Sequence, residues 1–452
     1  MARFAGCTVL TVFSVAAIFL GCTPDSDSKH TGTGDPPKIS TDSKEAAVFL
    51  TGNTHSTLQP CGCSADQLGG FDRRVAVISS IRPDRRIVVD TGNMLADTSR
   101  QDIIKLQIIF QALSMLRYDV VNLNPDELKL AAEMGLTENT AFGIISSGTK
   151  QVDPPVAALW SKRMKLGDSD VAVNIIAAGR ELSNLEALTP RLKQNRSVNI
   201  AIVDDCSAAF VDAIARLGFV DVIVCPTDSD EPRIVDNDRT RPLVISVGRL
   251  GKYFAKLVLS QKVDGGVAVR LDKVAVDNKL PQDIALVDLY KDYQLIVKEE
   301  GLLDQVAKVP LPGDLKYLGS ENCHTCHGYE YDAWATKRHA HAYQTLAGVG
   351  SQYDPECVGC HVVGFGYESG FSSDKSPKDL RDVGCEVCHG PGSDHFAAVT
   401  TGRTDKGISD VQTRCNQCHT TERSPGYAGH EEEYLQKIVH WREPKAQNNV
   451  KK

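Results

Sequence analysis

The chain has 452 residues, 42% of them apolar and 24% charged, which is the make-up of folded globular protein with room for about three domains. A formal charge of −8 argues against nucleic-acid binding, because neutralising phosphates takes clustered Lys and Arg that this sequence lacks. A basic protein partner suits such a surface better.

Residues 1–22 read as a secretion signal: a basic start at Arg3, an apolar run over 9–20, then Phe19-Leu20-Gly21-Cys22. That ending resembles a bacterial lipobox and makes Cys22 the lipid-carrying first residue of the mature protein, although Phe19 departs from the usual Leu. An uncleaved anchor or an ordinary signal peptide is the alternative, and either way the rest is exported. Thr23 after Cys22 favours the outer membrane under the sorting rules of some bacteria, so the expected location is periplasmic or that of an outer-membrane lipoprotein. No other apolar run approaches the roughly 20 residues that span a bilayer. Residues 23–45, rich in Ser, Thr, Asp, Gly and Pro, read as a solvated tether.

Over 46–307 apolar runs alternate with amphipathic stretches. Strands are expected at 46–50, 86–90, 120–123, 199–203, 220–224 and 243–247, and helices at 73–81, 102–116, 209–217 and 283–306. Such alternation predicts layered α/β packing with functional loops at the carboxyl ends of the strands. Asp264-Gly265-Gly266 reads as a hairpin turn, and residues 308–318, with Pro310 and Gly313, read as a linker. Cys61, Cys63, Cys206 and Cys225 each follow an expected strand, as does His55. Together they are candidates for a thiolate-rich zinc site or a redox-active thiol pair. The plainer alternative makes Cys206 and Cys225 small buried apolar residues and Cys61 and Cys63 shapers of a loop.

Beyond residue 318 one spacing recurs four times: Cys323-His324-Thr325-Cys326-His327, Cys357-Val358-Gly359-Cys360-His361, Cys385-Glu386-Val387-Cys388-His389 and Cys415-Asn416-Gln417-Cys418-His419. Two thiols two residues apart can form thioethers with the two vinyl groups of one porphyrin, and the next residue's imidazole then ligates the iron. Zinc knuckles or disulfides are the competing reading, but zinc gives no reason for a His after every second Cys. The expectation is four covalently bound haem c groups on residues 319–442, with a polar tail at 443–452. Ten of the twelve histidines lie after Leu315. Besides the motif histidines these are His324, His339, His341, His395, His430 and His440, candidates for the opposite faces of the irons. Two imidazoles on one iron make an electron-transfer haem, and an open face admits a small ligand or substrate. So short and Gly/Pro-interrupted a region buries too little on its own, and porphyrins complete its core. Glu431-Glu432-Glu433 reads as a solvated helix start.

The haem region resembles the tetrahaem cytochromes c that take electrons from hydroxylamine oxidoreductase. The likeness rests on Tyr331-Asp332-Ala333-Trp334, the segment from Lys337 to Ala342, the run GCEVCHGPGSDH from Gly384 to His395, and Ile438-Val439-His440. It implies that His339, His395 and His440 are the distal ligands and that one haem can lack such a ligand. The front region resembles the metallophosphoesterase domain of the 5′-nucleotidase family, through Leu50 to Ser56, Gly69 to Arg74, Val88 to Asn93, Tyr118 to Glu127, Val220 to Ser229 and Gly251-Lys252-Tyr253. That family's metal positions fall here on Asn53, His55, Asn93, Pro125-Asp126, Cys206 and residues 226–229, so both acidic ligands are replaced by neutral Asn. Two-metal hydrolysis needs anionic oxygens.

The fold expected is therefore an α/β layered metallophosphoesterase-like domain followed by a small, mostly helical and loop-rich multihaem cytochrome c domain. The leading functional expectation is an exported relay of electrons between redox partner proteins, joined to the membrane by its N-terminal lipid anchor. Its rivals are an oxidoreductase acting on a small nitrogen or sulfur compound at a five-coordinate haem, and an active phosphoesterase fused to a cytochrome. Zinc at the front-domain thiols is the further cofactor expected.

Overall fold

The computed structural model describes residues 46–60, 67–148, 155–180, 182–192, 197–239, 241–373, 375–403, 405–408 and 415–441. Cys22 with its signal segment, the tether, Cys61, Cys63 and the polar tail lie outside the described residues.

The apolar run that opens the described chain forms β1 (Ala46–Thr51), every residue of which is buried. Parallel neighbours follow in β2 (Arg86–Asp90), β3 (Val120–Asn122) and β4 (Gly143–Ile145). A second parallel set comprises β6 (Ser169–Gly179), β7 (Ser197–Val203), β8 (Val222–Cys225) and β10 (Leu243–Ser246), edged by the antiparallel β5 (Leu159–Leu166) and β9 (Arg233–Ile234). The hairpin of β11 (Tyr253–Gln261) and β12 (Val267–Ala275), turned at Asp264 to Gly266 as expected, returns to pair with β1. Among the described residues the strand orders are β12-β11-β1-β2-β3-β4 and β5-β6-β7-β8-β10-β9.

The two-residue side-chain period of a strand sorts these residues into layers. Val48 and Leu50 join Ile87, Val89, Ile175, Ile200 and Val222 in a core between the sheets. Phe49 and Val88 point the other way, onto α2 (Arg100–Met115) and α6 (Ile284–Glu299). Beneath the second sheet, Ile176, Ala201 and Ile223 pack on α5 (Ala208–Leu217). Both sheets are covered on their outer faces, so their central strands read as continuous apolar runs.

Three expectations need adjusting. The helix expected over 283–306 ends at Glu299, because Gly301 takes a left-handed φ of 63° that closes the last turn. The helix expected over 73–81 is only Arg74–Ile78, preceded by a 3₁₀ turn at Phe71–Arg73. The paired strands β5 and β6, and the long arms of the β11–β12 hairpin, were not expected from the sequence. Both β5 and β12 carry three charged residues and are exposed or half-buried over most of their length.

The cysteine-rich region consists of short helices joined by loops, none longer than eight residues among those described. Its own apolar cluster is small: Leu303, Tyr343, Leu346, Val358, Val362, Val363, Phe371 and Leu380. The region packs with the α/β layers as parts of one compact unit. Buried Asp354 receives the Tyr293 hydroxyl at 2.9 Å and Gln101 Nε2 at 2.8 Å, Lys105 reaches Glu356 at 2.5 Å, and Lys298 lies over the Tyr353 ring at 4.9 Å.

Candidate functional site

At the carboxyl edge of the first sheet, β1, β2 and β3 each end in a loop bearing an asparagine. Asn53 and Asn93 adopt left-handed φ values of 50° and 57°, a region Asn tolerates better than most residues. Their amides form a chain. Asn124 Nδ2 donates to Asn93 Oδ1 at 3.3 Å, Asn93 Nδ2 to Asn53 Oδ1 at 2.9 Å, and Asn53 Nδ2 to the Gly248 carbonyl at 2.9 Å. Asn124 Oδ1 in turn caps α3 (Pro125–Glu133) by accepting from Asp126 N and Glu127 N. Pro125 is thus a first-turn residue and Asp126 the second helical position. Asn124 and Glu127 were not singled out from the sequence, although Asn-Pro-x-Glu carries the capping-box pattern that places them.

Buried Glu127 receives the backbone N–H groups of Met94 at 2.5 Å, Leu95 at 3.2 Å, Asn93 at 3.3 Å and Asn124 at 3.4 Å. Burial is the main cause that pushes its pKa up from 4.5 to about 7. The folded protein holds this proton more tightly than the unfolded chain does, so the stability it contributes is complete below pH 4.5 and is lost as pH rises to about 7. Denaturant titrations at pH 5 and pH 7.5 are expected to show a larger fall for the wild type than for Glu127→Gln. Equal falls would remove Glu127 as the source.

His55 is also at a left-handed φ of 45°; burial lowers its pKa against a hydrogen bond that it donates to the Leu95 carbonyl, and the Arg249 guanidinium lowers it further. Cys206 and Cys225 are joined in a disulfide packed beneath the second sheet. In that state neither sulfur offers a thiolate to a metal, which departs from the donor role expected of them. Among the described residues no group of three or more His, Cys, Asp or Glu side chains is arranged to hold a metal ion.

In the cysteine-rich region the motifs fall on short helical turns: α7 (Ser320–His324), α10 (Pro355–Val358), α11 (Cys385–His389) and α13 (Cys415–Cys418). One turn sets the two cysteines of a motif on the same face, with the histidine just beyond. The thiols of Cys323 and Cys385 lie near enough to interact, as do those of Cys360 and Cys418. The first motif therefore lies beside the third and the second beside the fourth.

The histidines complete the pattern. His327 faces His395 with ring centroids 6.3 Å apart, His389 faces His440 at 6.3 Å, and His419 faces His339 at 6.4 Å. An iron between two imidazoles keeps each ring centroid about 3 Å from the metal, so trans rings stand roughly 6 Å apart. The residues present fit that group. Nδ1 of His395 meets the Lys406 carbonyl at 2.9 Å and that of His440 the Ile438 carbonyl at 2.9 Å. His361 Nδ1 lies 2.6 Å from the Ala342 carbonyl. A carbonyl can only accept, so each Nδ1 carries its proton and Nε2 is left as the metal-binding nitrogen. Burial lowers the pKa of His339, with His419 and His361 adding repulsion, and burial likewise lowers that of His361.

His361 has no facing imidazole among the described residues. Of the other candidates, His324 stacks on Tyr331 with centroids 4.2 Å apart, His430 Nδ1 pairs with Glu433 at 3.1 Å, and His341 is exposed.

One short loop connects the two regions. After the fourth motif, Ser424 Oγ meets His419 Nδ1 at 3.1 Å, Arg423 Nη1 lies 3.1 Å from Cys360 Sγ, and Glu422 pairs with Arg249 at 3.2 Å. The Arg423 carbonyl accepts from Gln67 Nε2 at 2.9 Å. Gln67, Arg249 and Arg423 have no sequence signature, since only the docking of the two regions brings them together.

Residues 322–390 match the family model for cytochrome c554 and c-prime. Cytochrome c-554 of Nitrosomonas europaea is 33% identical over 147 residues, covering 25% of this chain and 63% of that protein, so the match spans less than two thirds of the relative's length. Similar solved structures include a 5′-nucleotidase precursor from Thermus thermophilus, with a TM-score of 0.46, 15% identity and 68% of each chain covered. The NAD nucleotidase of Haemophilus influenzae is similar with a TM-score of 0.44 and 14% identity, covering 62% of this chain and 64% of that one. The C-terminal region is thus similar to cytochrome c-554, a likeness that supports haem held covalently through its cysteines, and the α/β layers ahead of it are similar to these two nucleotidases.

Proposed function

We propose that this protein is an exported electron carrier with one haem c at each of its four motifs, and that its α/β region no longer hydrolyses phosphate esters. The observation that carries the reading is the set of three facing imidazole pairs at 6.3, 6.3 and 6.4 Å. When bound, haem supplies a one-electron iron couple. The chain's own part is to fix that couple in place. His327 with His395, His389 with His440, and His419 with His339 would each hold an iron between them and so keep substrate from three of the four, while the paired cysteines set the attachment points side by side. Redox partner proteins deliver and remove the electrons.

The asparagine chain supports the non-hydrolytic reading. Each amide oxygen in it already accepts a hydrogen bond, and neutral amides do not supply the negative charge that two divalent ions require. Export, with Cys22 as lipid anchor, agrees with the Cys206–Cys225 disulfide, because such bonds persist in oxidising compartments. Among the described residues no helix is long and apolar enough to cross a membrane; the attachment proposed is a lipid on Cys22.

His361 favours a second reading for its own haem alone. With an open sixth position, that iron would take a small nitrogen or sulfur compound as substrate. Protein expressed in a host equipped for haem attachment is expected to gain the mass of four haems and, once reduced, to bind one carbon monoxide per chain. Protein with no added mass would overturn the cytochrome reading, and binding of no carbon monoxide would remove the open site at His361.

A further inference from the structure

The five residues from Thr420 to Ser424 touch three things that the sequence keeps far apart: an axial histidine, a haem-attachment sulfur of another motif, and the asparagine-bearing edge of the α/β region. The loop is held at each point. Arg423 N donates to Thr420 Oγ1 at 3.2 Å and Ser424 N to the Thr420 carbonyl at 2.7 Å, which closes the turn. From the α/β side, Gln67 Nε2 fastens the Arg423 carbonyl and Arg249 fastens Glu422. Arg249 is itself anchored by Asp230 at 2.7 Å, and Asp230 by Lys252 at 2.6 Å. The Leu250 N–H next to Arg249 donates to the Asn53 carbonyl at 2.8 Å. The anchor is thus continuous with the amide chain through Asn53, Asn93 and Asn124.

The outcome of this anchoring is a guanidinium with Nη1 3.1 Å from Cys360 Sγ, in the motif that ends in His361. Arg keeps its charge at any working pH. Glu422, the nearest acid in sequence, is engaged by Arg249, and Asp382 accepts from the Tyr343 N–H at 2.8 Å.

Building on the cytochrome reading above, we propose that Arg423 is a positioning residue that raises the reduction potential of the haem attached at Cys357 and Cys360. We further propose that Gln67 and Arg249 of the α/β region hold it in place. Reduction takes one electron from the donor and changes the iron from ferric to ferrous, lowering the positive charge at the haem by one. A fixed cation nearby destabilises the ferric form more than the ferrous form, so it favours reduction. On this account the α/β region, deprived of metal ligands, serves as a clamp that tunes one haem.

The test is a potentiometric titration of the full-length, haem-loaded protein followed by optical spectroscopy, with haem number fixed beforehand by intact mass. Arg423→Gln is expected to lower one midpoint potential by more than the other three, and Arg423→Lys to return most of the shift. The double variant Gln67→Leu, Arg249→Gln leaves the guanidinium in the chain but unclamped, and is expected to lower the same midpoint. Four loaded haems with unmoved midpoints in both Arg423→Gln and the double variant would overturn the proposal and leave the cytochrome reading intact. Absence of haem from the wild type would overturn that reading instead. Should Arg423→Gln shed the second-motif haem, Arg423→Lys and the double variant carry the decision.

Discussion

Replacing His395, His440 or His339 by alanine, one at a time, is expected to turn one haem per chain from low-spin to high-spin and to add one carbon-monoxide-binding equivalent. Each of these rings faces a different motif histidine across a gap that suits a single iron, and none is positioned to substitute for another. A protein with two of the three replaced should therefore show two additional high-spin haems. The remaining histidines serve as controls. His324 is engaged with Tyr331, His430 with Glu433, and His341 is exposed, so alanine at any of them should leave the spin-state balance of the wild type unchanged. Electron paramagnetic resonance of the oxidised proteins reads the result directly. A fully retained low-spin signal in His395→Ala would show that His327 does not share its iron with that ring.

This site was half legible from sequence. Covalent attachment is a local matter, settled within five residues, so the Cys-x-x-Cys-His motifs declare it. The resemblance to tetrahaem cytochromes named His339, His395 and His440, but which motif histidine each ring faces depends on how short helices with almost no regular pattern pack together. No periodicity encodes that. The α/β layers divided similarly. Strands buried on both faces, such as β1 and β2, announce themselves as apolar runs, and their observed limits lie within a residue of those expected. Edge strands such as β5, whose sequence Leu-Trp-Ser-Lys-Arg-Met-Lys-Leu carries three cations, bury one face at most and give only a weak alternation.

The asparagine substitutions were visible as single letters, whereas their mutual satisfaction was not. An isolated Asn in place of Asp removes a charge. Three amides arranged donor to acceptor, ending on the Gly248 carbonyl at one side and on the α3 N-terminus at the other, also cross-link the loops directly. In the second sheet the Cys206–Cys225 bond joins the loop after β7 to the end of β8. The edge is thus held together by bonds that need no ion, and the Asn53 end of the amide chain connects through Leu250 and Arg249 to the loop bearing Arg423.

Glu386→Ala is expected to cost roughly 4 kcal/mol of stability, the largest effect of any single substitution away from the iron ligands. Glu386 lies inside the third motif and is only 2% exposed. Its carboxylate accepts the N–H groups of Leu318 at 2.9 Å, Gly319 at 2.7 Å and Gly392 at 2.7 Å, which fastens the entry to the first motif and the Gly-Pro-Gly turn after the third. Burial raises its pKa and those three donors work against the rise. Alanine would leave the donors buried without acceptors, at about 1–3 kcal/mol each before relaxation. It would also free Cys323 to drift from Cys385, so the damage extends to the arrangement of two haems. Glu386→Gln keeps the volume and one oxygen, and should lose less than half as much. Denaturant unfolding followed by the haem absorbance band measures both variants. A Glu386→Ala midpoint matching that of the wild type would mean that water or a rotated peptide replaces the carboxylate, and that the two motifs are held together by porphyrin contact alone.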